Sequence, residues 1–154
     1  MTDRLDLMGV DIALDWGRGG GFFEDAELRS ALTGGATETR DIRSVARVDA
    51  MEQALINRLK TRRGELEPLG HPDYGSRHHD LLGEPNVERT RNLIKLYVLQ
   101  ALRQEPRIER VLAVMVSADH NPPRDTVRIV ITLKLIGVQV PLNLVVPFSL
   151  EDPA

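Results

Sequence analysis

Glu105, Pro106 and Arg107 are the residues whose types and spacing most invite a chemical role. They stand in QEPRIERV (104–111), between a segment with helical periodicity and one with strand periodicity. Pro106 disfavours helical geometry at Glu105, which explains a helix end but not two opposite charges. On an extended chain both charged side chains can project to the same side, and the Arg107 fork suits a carboxylate or backbone carbonyls. From the residues alone, a local salt bridge and an interface with another chain both stay open.

Four further side chains could suggest a metal site. They are His71, His78, His79 and Asp80. Adjacent residues do not converge easily on one ion, and the HExxH spacing is missing. We therefore interpret the histidines as exposed loop residues, and we predict no metal site and no cofactor.

Carboxylate pairs and basic clusters also have ordinary explanations in this chain. Glycoside hydrolysis needs two placed carboxyls, but a protein with 23 acidic residues offers many pairs, and 4% aromatics cannot easily line a sugar cleft. No serine lies in a GxSxG context. The basic cluster at Arg58, Lys60, Arg62 and Arg63 is typical of a helix end, where the dipole favours cations. We predict neither an enzyme nor a nucleic-acid-binding protein.

Composition indicates a soluble globular protein. The chain has 154 residues, 42% of them hydrophobic and 28% charged, so one aliphatic core is expected. The absence of cysteine excludes disulfides and thiolate metal sites. No apolar run reaches the roughly 18 residues of a membrane span, and the acidic N-terminal segment does not resemble a signal peptide. We expect a cytoplasmic protein.

The chain is predicted to consist of an N-terminal arm, residues 1–40, and a domain, residues 41–150. In the arm, GRGGG (17–21) and TGG (33–35) break any long element, and FFEDAELRSAL (22–32) is expected to form a short helix. A phosphate-binding loop is not favoured, because the GK[ST] ending is missing.

Two main helices follow from hydrophobic periodicity. In DAMEQALINRLKTRRG (49–64), Asp49 is the expected cap, and Met51, Leu55 and Leu59 form an apolar stripe. The second helix, VERTRNLIKLYVLQALRQ (87–104), is expected to be capped by Asn86. Its apolar residues lie all round, which predicts burial on more than one side.

Three strands are predicted after the second helix. IERVLAVMVSAD (108–119) has apolar residues on both faces and is expected to be central. TVRIVITLKLIG (126–137) alternates, and so does VQVPLNLVV (138–146), where the inward positions are Val138, Val140, Leu142 and Leu144. Pro141 indicates an edge strand. The predicted fold class is α+β, with two main helices packed on a small, mostly antiparallel sheet that has an exposed C-terminal edge strand.

The order of several motifs resembles a known family. RLKTRRGE (58–65), PDYGS (72–76), LLGEPN (81–86) and EPRI (105–108) together resemble the lysozyme-like baseplate-wedge and sheath-initiator family of contractile tails. That family includes the phage baseplate wedge protein, the TssE component of type VI secretion and equivalents in extracellular contractile injection systems. The resemblance covers residues 41–140, and it leaves open which of these machines contains the chain.

The resemblance implies roles for particular residues. Glu105, Pro106 and Arg107 match a signature that in relatives contacts the helical core bundle of neighbouring wedge proteins. Gly64, Glu65, Tyr74 and Gly75 match a structural loop motif. The last strands, through Val138, Val140, Leu142 and Leu144, would present a template for strand addition by the sheath protein. Wedge and sheath proteins are thus the implied partners, with spike or inner-tube proteins as further candidates.

The chain departs from the family pattern at one residue, and two other functions remain as alternatives. Relatives often carry an aromatic residue, typically Trp, where this chain has Gln104. A peptidoglycan-cleaving enzyme acting through Glu65 or Glu105 is an alternative, although no catalytic constellation in the sequence supports it. An adaptor domain unrelated to tails is the other.

Overall fold

The structure, a computed structural model, describes residues 8–15, 27–33, 39–119 and 125–151. Contacts divide the chain into two compact units, residues 1–54 and residues 55–154. In the described part of the chain, no helix combines the length and apolarity that crossing a membrane requires.

The first unit contains three short antiparallel strand pairs. They are β1 (Val10–Ile12) with β6 (Ser44–Ala46), β2 (Leu14–Asp15) with β3 (Glu27–Leu28), and β4 (Ser30–Thr33) with β5 (Thr39–Ile42). Three residues between these strands bond one another in a ring: Ala13 N–H donates to the carbonyl of Arg43, Arg43 N–H to Arg29, and Arg29 N–H to Ala13, at 2.7, 2.8 and 2.9 Å. The ring satisfies the backbone where the three pairs meet.

The expected helix in FFEDAELRSAL is wrong over its described part, which forms β3 and β4. Pairing with β2 and β5 overrides the local helical propensity there. Phe22 and Phe23 lie outside the described residues.

Within this unit, the buried amide of Gln53 bonds β1 and β2. Its Oε1 accepts from Leu14 N–H at 2.8 Å, and its Nε2 donates to the Ile12 carbonyl at 2.7 Å and to Asp11 Oδ2 at 3.3 Å. A buried amide is tolerated only when it is bonded in this way. Gln53 therefore fixes the chain on both sides of Ala13.

Helix α1 (Arg47–Lys60) begins two residues before the predicted cap, Asp49. Arg47 itself has a φ of +58°, a left-handed value, and its N–H donates to the Gly9 carbonyl at 3.0 Å. The predicted stripe is confirmed, because Met51, Leu55 and Leu59 are fully buried.

Helix α2 (Glu88–Leu102) packs against the first strand of the sheet and against a 3₁₀ turn at Arg77–Leu81, so burial on more than one side is confirmed. The expected cap is wrong, since Val87 occupies that position and makes no side-chain cap bond. Asn86 Oδ1 instead accepts from Arg91 at 2.9 Å, and its amide donates to the Thr126 carbonyl at 3.3 Å.

The sheet of the second unit has the order β7–β8–β9, all antiparallel. Its strands are β7 (Ile108–Ala118), β8 (Thr126–Leu135) and β9 (Leu142–Ser149). The alternation of β8 is confirmed, with Val127, Ile129, Ile131, Leu133 and Leu135 fully buried. The central position predicted for 108–119 is wrong: β8 is central and β7 is an edge. The apolar residues of β7 that suggested a central strand, such as Met115, lie exposed on the outer face.

Strand β9 confirms the predicted C-terminal edge but shifts its start. Gly137 adopts a φ of +78° and Val138 N–H donates to the Leu135 carbonyl at 3.2 Å, so the chain turns there. Val138 and Val140 consequently lie before the strand, which begins at Leu142, so the predicted strand is wrong over these positions; Val138 is half-buried and Val140 is exposed. Within β9 the buried side chains are Leu144, Val146 and Phe148. Pro141 also precedes the strand, whereas Pro147 lies inside it.

His78 is buried and His79 is half-buried, which corrects the expectation that both are exposed loop residues. His78 is 1% exposed and its Nδ1 lies 2.8 Å from Ser76 Oγ. His79 Nε2 lies 2.8 Å from the Leu59 carbonyl. Both rings meet Phe148 edge to face, with centroids 4.6 and 5.6 Å away. His71 is exposed as predicted.

The buried histidine predicts a loss of stability in mild acid. Burial, with repulsion from His79, lowers the pKa of His78 to about 3. Its unfolded pKa is near 6.5, so below pH ~6.5 only the unfolded chain gains this proton, and the stabilisation falls as pH drops toward 3. We expect His78 alone to cost about 2 kcal/mol at pH 5 relative to pH 7.5.

Urea unfolding at both pH values checks this, with His78→Phe as the test and His71→Phe as the matched exposed control. The first variant should lose much of the pH dependence and the second should retain it. Equal pH dependence in all three proteins would contradict the expectation.

Candidate functional site: a buried glutamate between two arginines

The corner between α2 and β7 contains the candidate site. Glu105 N–H donates to the Leu102 carbonyl at 3.1 Å, and Ile108 N–H donates to the Glu105 carbonyl at 3.2 Å. Pro106 lies exposed between them and ends the helical geometry, as predicted. The turn sets Glu105 and Arg107 on either side of the proline, immediately before the sheet.

Glu105 is buried, and its carboxylate binds Arg107 with both oxygens. Arg107 Nε lies 2.6 Å from Oε1, and Nη2 lies 3.1 Å from Oε2. The Arg107 backbone N–H also donates to Oε1 at 3.3 Å. The Glu105 side chain is 6% exposed and that of Arg107 is 30% exposed. The local salt bridge considered from the sequence is therefore present. Of its two side chains, Arg107 is partly exposed to solvent and Glu105 is buried.

Arg58 on α1 is a second cation on the same carboxylate. Its Nη2 lies 3.5 Å from Glu105 Oε2, and its Nη1 donates to Gln104 Oε1 at 3.4 Å. The guanidinium also lies over the Tyr74 ring, 4.5 Å from the centroid, which is a cation–π contact. Gln104 thus takes part in the cluster by accepting from Arg58.

The sequence assigned Arg58 to an ordinary charged helix end. The one signal that could have found it is its spacing of seven residues from Met51, which places it at the border of the buried stripe.

The electrostatics of the cluster keep Glu105 ionised. Burial acts to raise the pKa of Glu105, but the hydrogen bonds and charge of Arg107, with the charge of Arg58, outweigh burial and lower that pKa. The hydrogen bond to Glu105 raises the pKa of Arg107 against the opposing effect of burial. A carboxylate with a lowered pKa is a poor proton donor, whereas a general acid needs a raised one.

The predicted loop motif holds the end of α1. Gly75 has a φ of +97°, and a Cβ at this position would lie 2.6 Å from the Thr61 carbonyl oxygen. Ser76 N–H donates to that same carbonyl at 2.9 Å, and Arg63 N–H donates to the Ser76 carbonyl at 3.2 Å. Only glycine allows the two backbones to approach so closely.

The other residues of the motif have different structural roles. Gly64 has a φ of +88°, with open space around its missing side chain. Glu65 Oε2 accepts from Arg62 N–H at 2.9 Å. Tyr74 forms the face on which Arg58 lies. The structure therefore brings Tyr74 to the Glu105 cluster, whereas Gly75 lies against the Thr61 and Arg62 backbone.

The cluster is hydrogen-bonded to the connection between β8 and β9. Ile136 N–H donates to the Arg107 carbonyl at 3.0 Å. Beyond this connection, Val140 is 73% exposed and Leu142 is half-buried, while Leu144 faces the core. Of the four residues predicted to bind a partner in the last strand, Val140 has the most exposed side chain, and the Leu144 side chain is buried.

The backbone N–H and C=O groups of β9 point alternately toward β8 and toward the outer edge of the sheet. Leu150 N–H donates to the Asp125 carbonyl at 2.9 Å, in register with the pairs from Thr126↔Ser149 to Leu133↔Leu142. In an antiparallel ladder the bonded positions alternate, so even-numbered β9 residues bond β8. The backbone groups of Asn143, Val145, Pro147 and Ser149 face away from it, and among the described residues no strand pairs with that edge.

Comparison with known proteins decides the family. The model of the family "Baseplate wedge protein gp25" matches residues 46–139. This chain belongs to the gp25 baseplate wedge family. The resemblance inferred from the motifs is confirmed, and the protein is a structural component of a baseplate. The matched span contains the loop motif, the Glu105 corner, β7 and β8, and it ends before β9.

A solved structure agrees with the family. A crystal structure of a protein from Geobacter sulfurreducens, which carries the working description tail lysozyme, superposes with a TM-score of 0.60 at 30% sequence identity. The match covers 69% of this chain and 93% of that one. Comparison with curated protein sequences gave no match.

Metal-binding side chains do not cluster in the part of the chain that the structure describes. No three His, Asp or Glu residues come together there in a way that could hold an ion. In this gp25-family member, the described contacts of the site are charge pairs, a cation–π contact and hydrogen bonds.

The close approach at Gly75 predicts a large effect of a single methyl group. Gly75→Ala must move the Thr61 backbone and also place alanine at a positive φ. The positive φ alone costs ~1–3 kcal/mol, so we expect the free energy of unfolding to fall by more than that. Gly70→Ala is the matched control, because its φ is +84° but nothing lies within 4 Å of the added Cβ. Chemical denaturation of both variants measures the difference. An equal loss in the two would show that the close approach contributes nothing.

Proposed function

We propose that this protein joins the baseplate wedge through Glu105, Pro106 and Arg107, and that it starts the sheath by offering β9 for strand addition. The observation that carries the proposal is the buried carboxylate of Glu105, which holds the part-exposed Arg107 in one geometry. A rigid, planar donor at a corner is well suited to fixing the register of an interface.

The arrangement of the corner favours an interface over a simple helix stop. Pro106 alone would end α2, so the second cation, Arg58, and the buried carboxylate serve another purpose. Because Glu105 already satisfies its oxygens within the chain, Arg107 does not have to be ordered when a partner binds. Preorganisation of this kind lowers the entropic cost of association. The proposed partners at this corner are the neighbouring wedge proteins.

The two edges of the sheet support β9 rather than β7 as the site of strand addition. β7 has register shifts between Ile108 and Arg110 and between Val111 and Ala113, whereas β9 pairs with β8 without any shift. Bulges twist an edge away from additional strands, and a regular edge accepts them. The proposed partner at this edge is an extended segment of the sheath protein.

We further propose that the protein has no catalytic activity. The description of the Geobacter protein as a tail lysozyme concerns that protein. Here Glu105 is buried and its pKa is lowered, and neither property suits an acid that must protonate a glycosidic oxygen. Assembly in the cytoplasm, with spike or inner-tube proteins as additional neighbours, is part of the same proposal.

The wedge interface is tested by Arg107→Lys and Arg107→Ala. Lysine retains the charge but not the fork, so both variants should enter baseplates at least about tenfold less than the wild type. Loss of the bonds to Glu105 should cost about 2 kcal/mol, which leaves a domain of ordinary stability folded. The amount of the chain that copurifies with tail particles, beside circular dichroism of the isolated variants, gives the result.

Arg89→Ala is the control for the wedge test, because it removes an exposed arginine from the other end of α2. Normal incorporation of Arg107→Ala, or equal defects in the Arg107 and Arg89 variants, would exclude the proposed role of the corner.

The sheath template is tested by Val145→Pro. Val145 is exposed and its backbone N–H faces the outer edge, so proline removes an edge donor while the ladder to β8 persists. We expect baseplates that contain the variant but extend few or no sheaths, counted by electron microscopy. Val145→Thr keeps the N–H and should extend sheaths normally. Sheaths of normal number with Val145→Pro would contradict strand addition at this edge.

A further inference from the structure

Pro147 interrupts the row of hydrogen-bond donors on the outer edge of β9. The backbone groups of Asn143, Val145, Pro147 and Ser149 face that edge, as the ladder to β8 requires. Proline has no N–H, so Asn143 and Val145 offer both a donor and an acceptor, and position 147 offers an acceptor only. The proline ring also occupies the space in front of its nitrogen, where the carbonyl of an added strand would have to lie.

Pro147 does not disturb the pairing of β9 with β8, but it is unfavourable for a strand added at the outer edge of β9. Its nitrogen faces away from β8, and it lies opposite Arg128 at a non-bonded position of that ladder. The side chain is exposed, and β9 continues without a register shift to Ser149. The proline therefore costs the β8–β9 pair no hydrogen bond, and its whole effect falls on the outer edge.

The outer face of the sheet indicates which side chains an added strand would carry. Met115, Val130 and Val145 lie in one cross-strand row, and Met115 and Val145 are exposed. In the adjacent row the Thr132 hydroxyl donates to Asn143 Oδ1 at 2.8 Å. A strand beside β9 would extend both rows, because cross-strand neighbours of like polarity stabilise a sheet.

We infer that Pro147 sets the end and register of the added strand, so that the partner pairs with Asn143 and Val145 and stops before Ser149. This inference rests on the proposed strand addition. The partner is then a short extended segment with about five paired residues. It places an apolar side chain beside Val145 and, two residues away on the same face, a polar one beside Asn143.

Amide hydrogen exchange at single-residue resolution tests the inference on the wild-type protein. The isolated chain is compared with the same chain in sheathed baseplates purified from cells that produce the whole particle. We expect amide exchange at Asn143 and Val145 to slow at least about tenfold on assembly, while the exchange rate of the Ser149 amide stays the same.

Two other outcomes distinguish the role of Pro147 from strand addition itself. Slowing at all three amides would overturn the role of Pro147 and leave strand addition intact. Unchanged exchange at Asn143 and Val145 would overturn strand addition at this edge, whatever Ser149 does.

A variant and a control complete the experiment. Pro147→Val restores the missing donor at an exposed position, so exchange at Ser149 should now slow on assembly as the added strand lengthens. Pro141→Val changes an exposed proline that precedes the strand, and it should leave the wild-type pattern unchanged. If the Ser149 amide behaves identically in Pro147→Val and in the wild type, the proline does not limit the strand.

Discussion

The carboxylate of Glu105 is the point on which the arrangement of the second unit depends. It binds Arg107 at 2.6 Å and 3.1 Å and Arg58 at 3.5 Å, and it is almost fully buried. A buried charge of this kind is tolerated only when its partners are placed well, and removing one partner is costly. Through Arg58 the carboxylate fixes α1 and the Tyr74 loop, and through Arg107 it fixes the start of β7. The surface that we assign to a partner is thus supported by contacts made inside the chain.

The same corner is connected to the edge that we assign to the sheath. The Arg107 carbonyl accepts from Ile136 N–H, and six residues later β9 begins at Leu142. A wedge protein bound at Arg107 would therefore lie one hydrogen bond away from the connection that leads into β9. This proximity gives a physical reason why joining the baseplate and starting a sheath can belong to one small domain.

Local patterns predicted the parts of the fold that depend on periodicity. The Met51, Leu55 and Leu59 stripe and the alternation of β8 were predicted because each repeats over many residues. The start of β9 was misplaced because the turn at Gly137 removes four residues, 138–141, from the apparent alternation. The strand pairs of the first unit have no such pattern, since each of their strands is only two to four residues long.

The residues of the candidate site also fall into those that the sequence predicts and those that it does not. Glu105, Pro106 and Arg107 stand side by side, so their pairing could be proposed from the sequence, and the family motifs added the Tyr74 and Gly75 loop. Arg58 is 47 residues from Glu105, and Gln53 is 39 residues from Leu14. The position of Arg58 at the border of the buried stripe is the one local signal, and Gln53 has none, because a charged or amide residue on a helix usually faces water. The burial of His78 escaped prediction for the same reason.

The most direct test of the account is a reconstruction of the assembled baseplate at a resolution that shows side chains. We predict that the Arg107 guanidinium contacts another chain, while the Glu105 carboxylate contacts only Arg58 and Arg107. Direct contact between Glu105 and a neighbouring chain, or an Arg107 surrounded by solvent in the assembled particle, would contradict it.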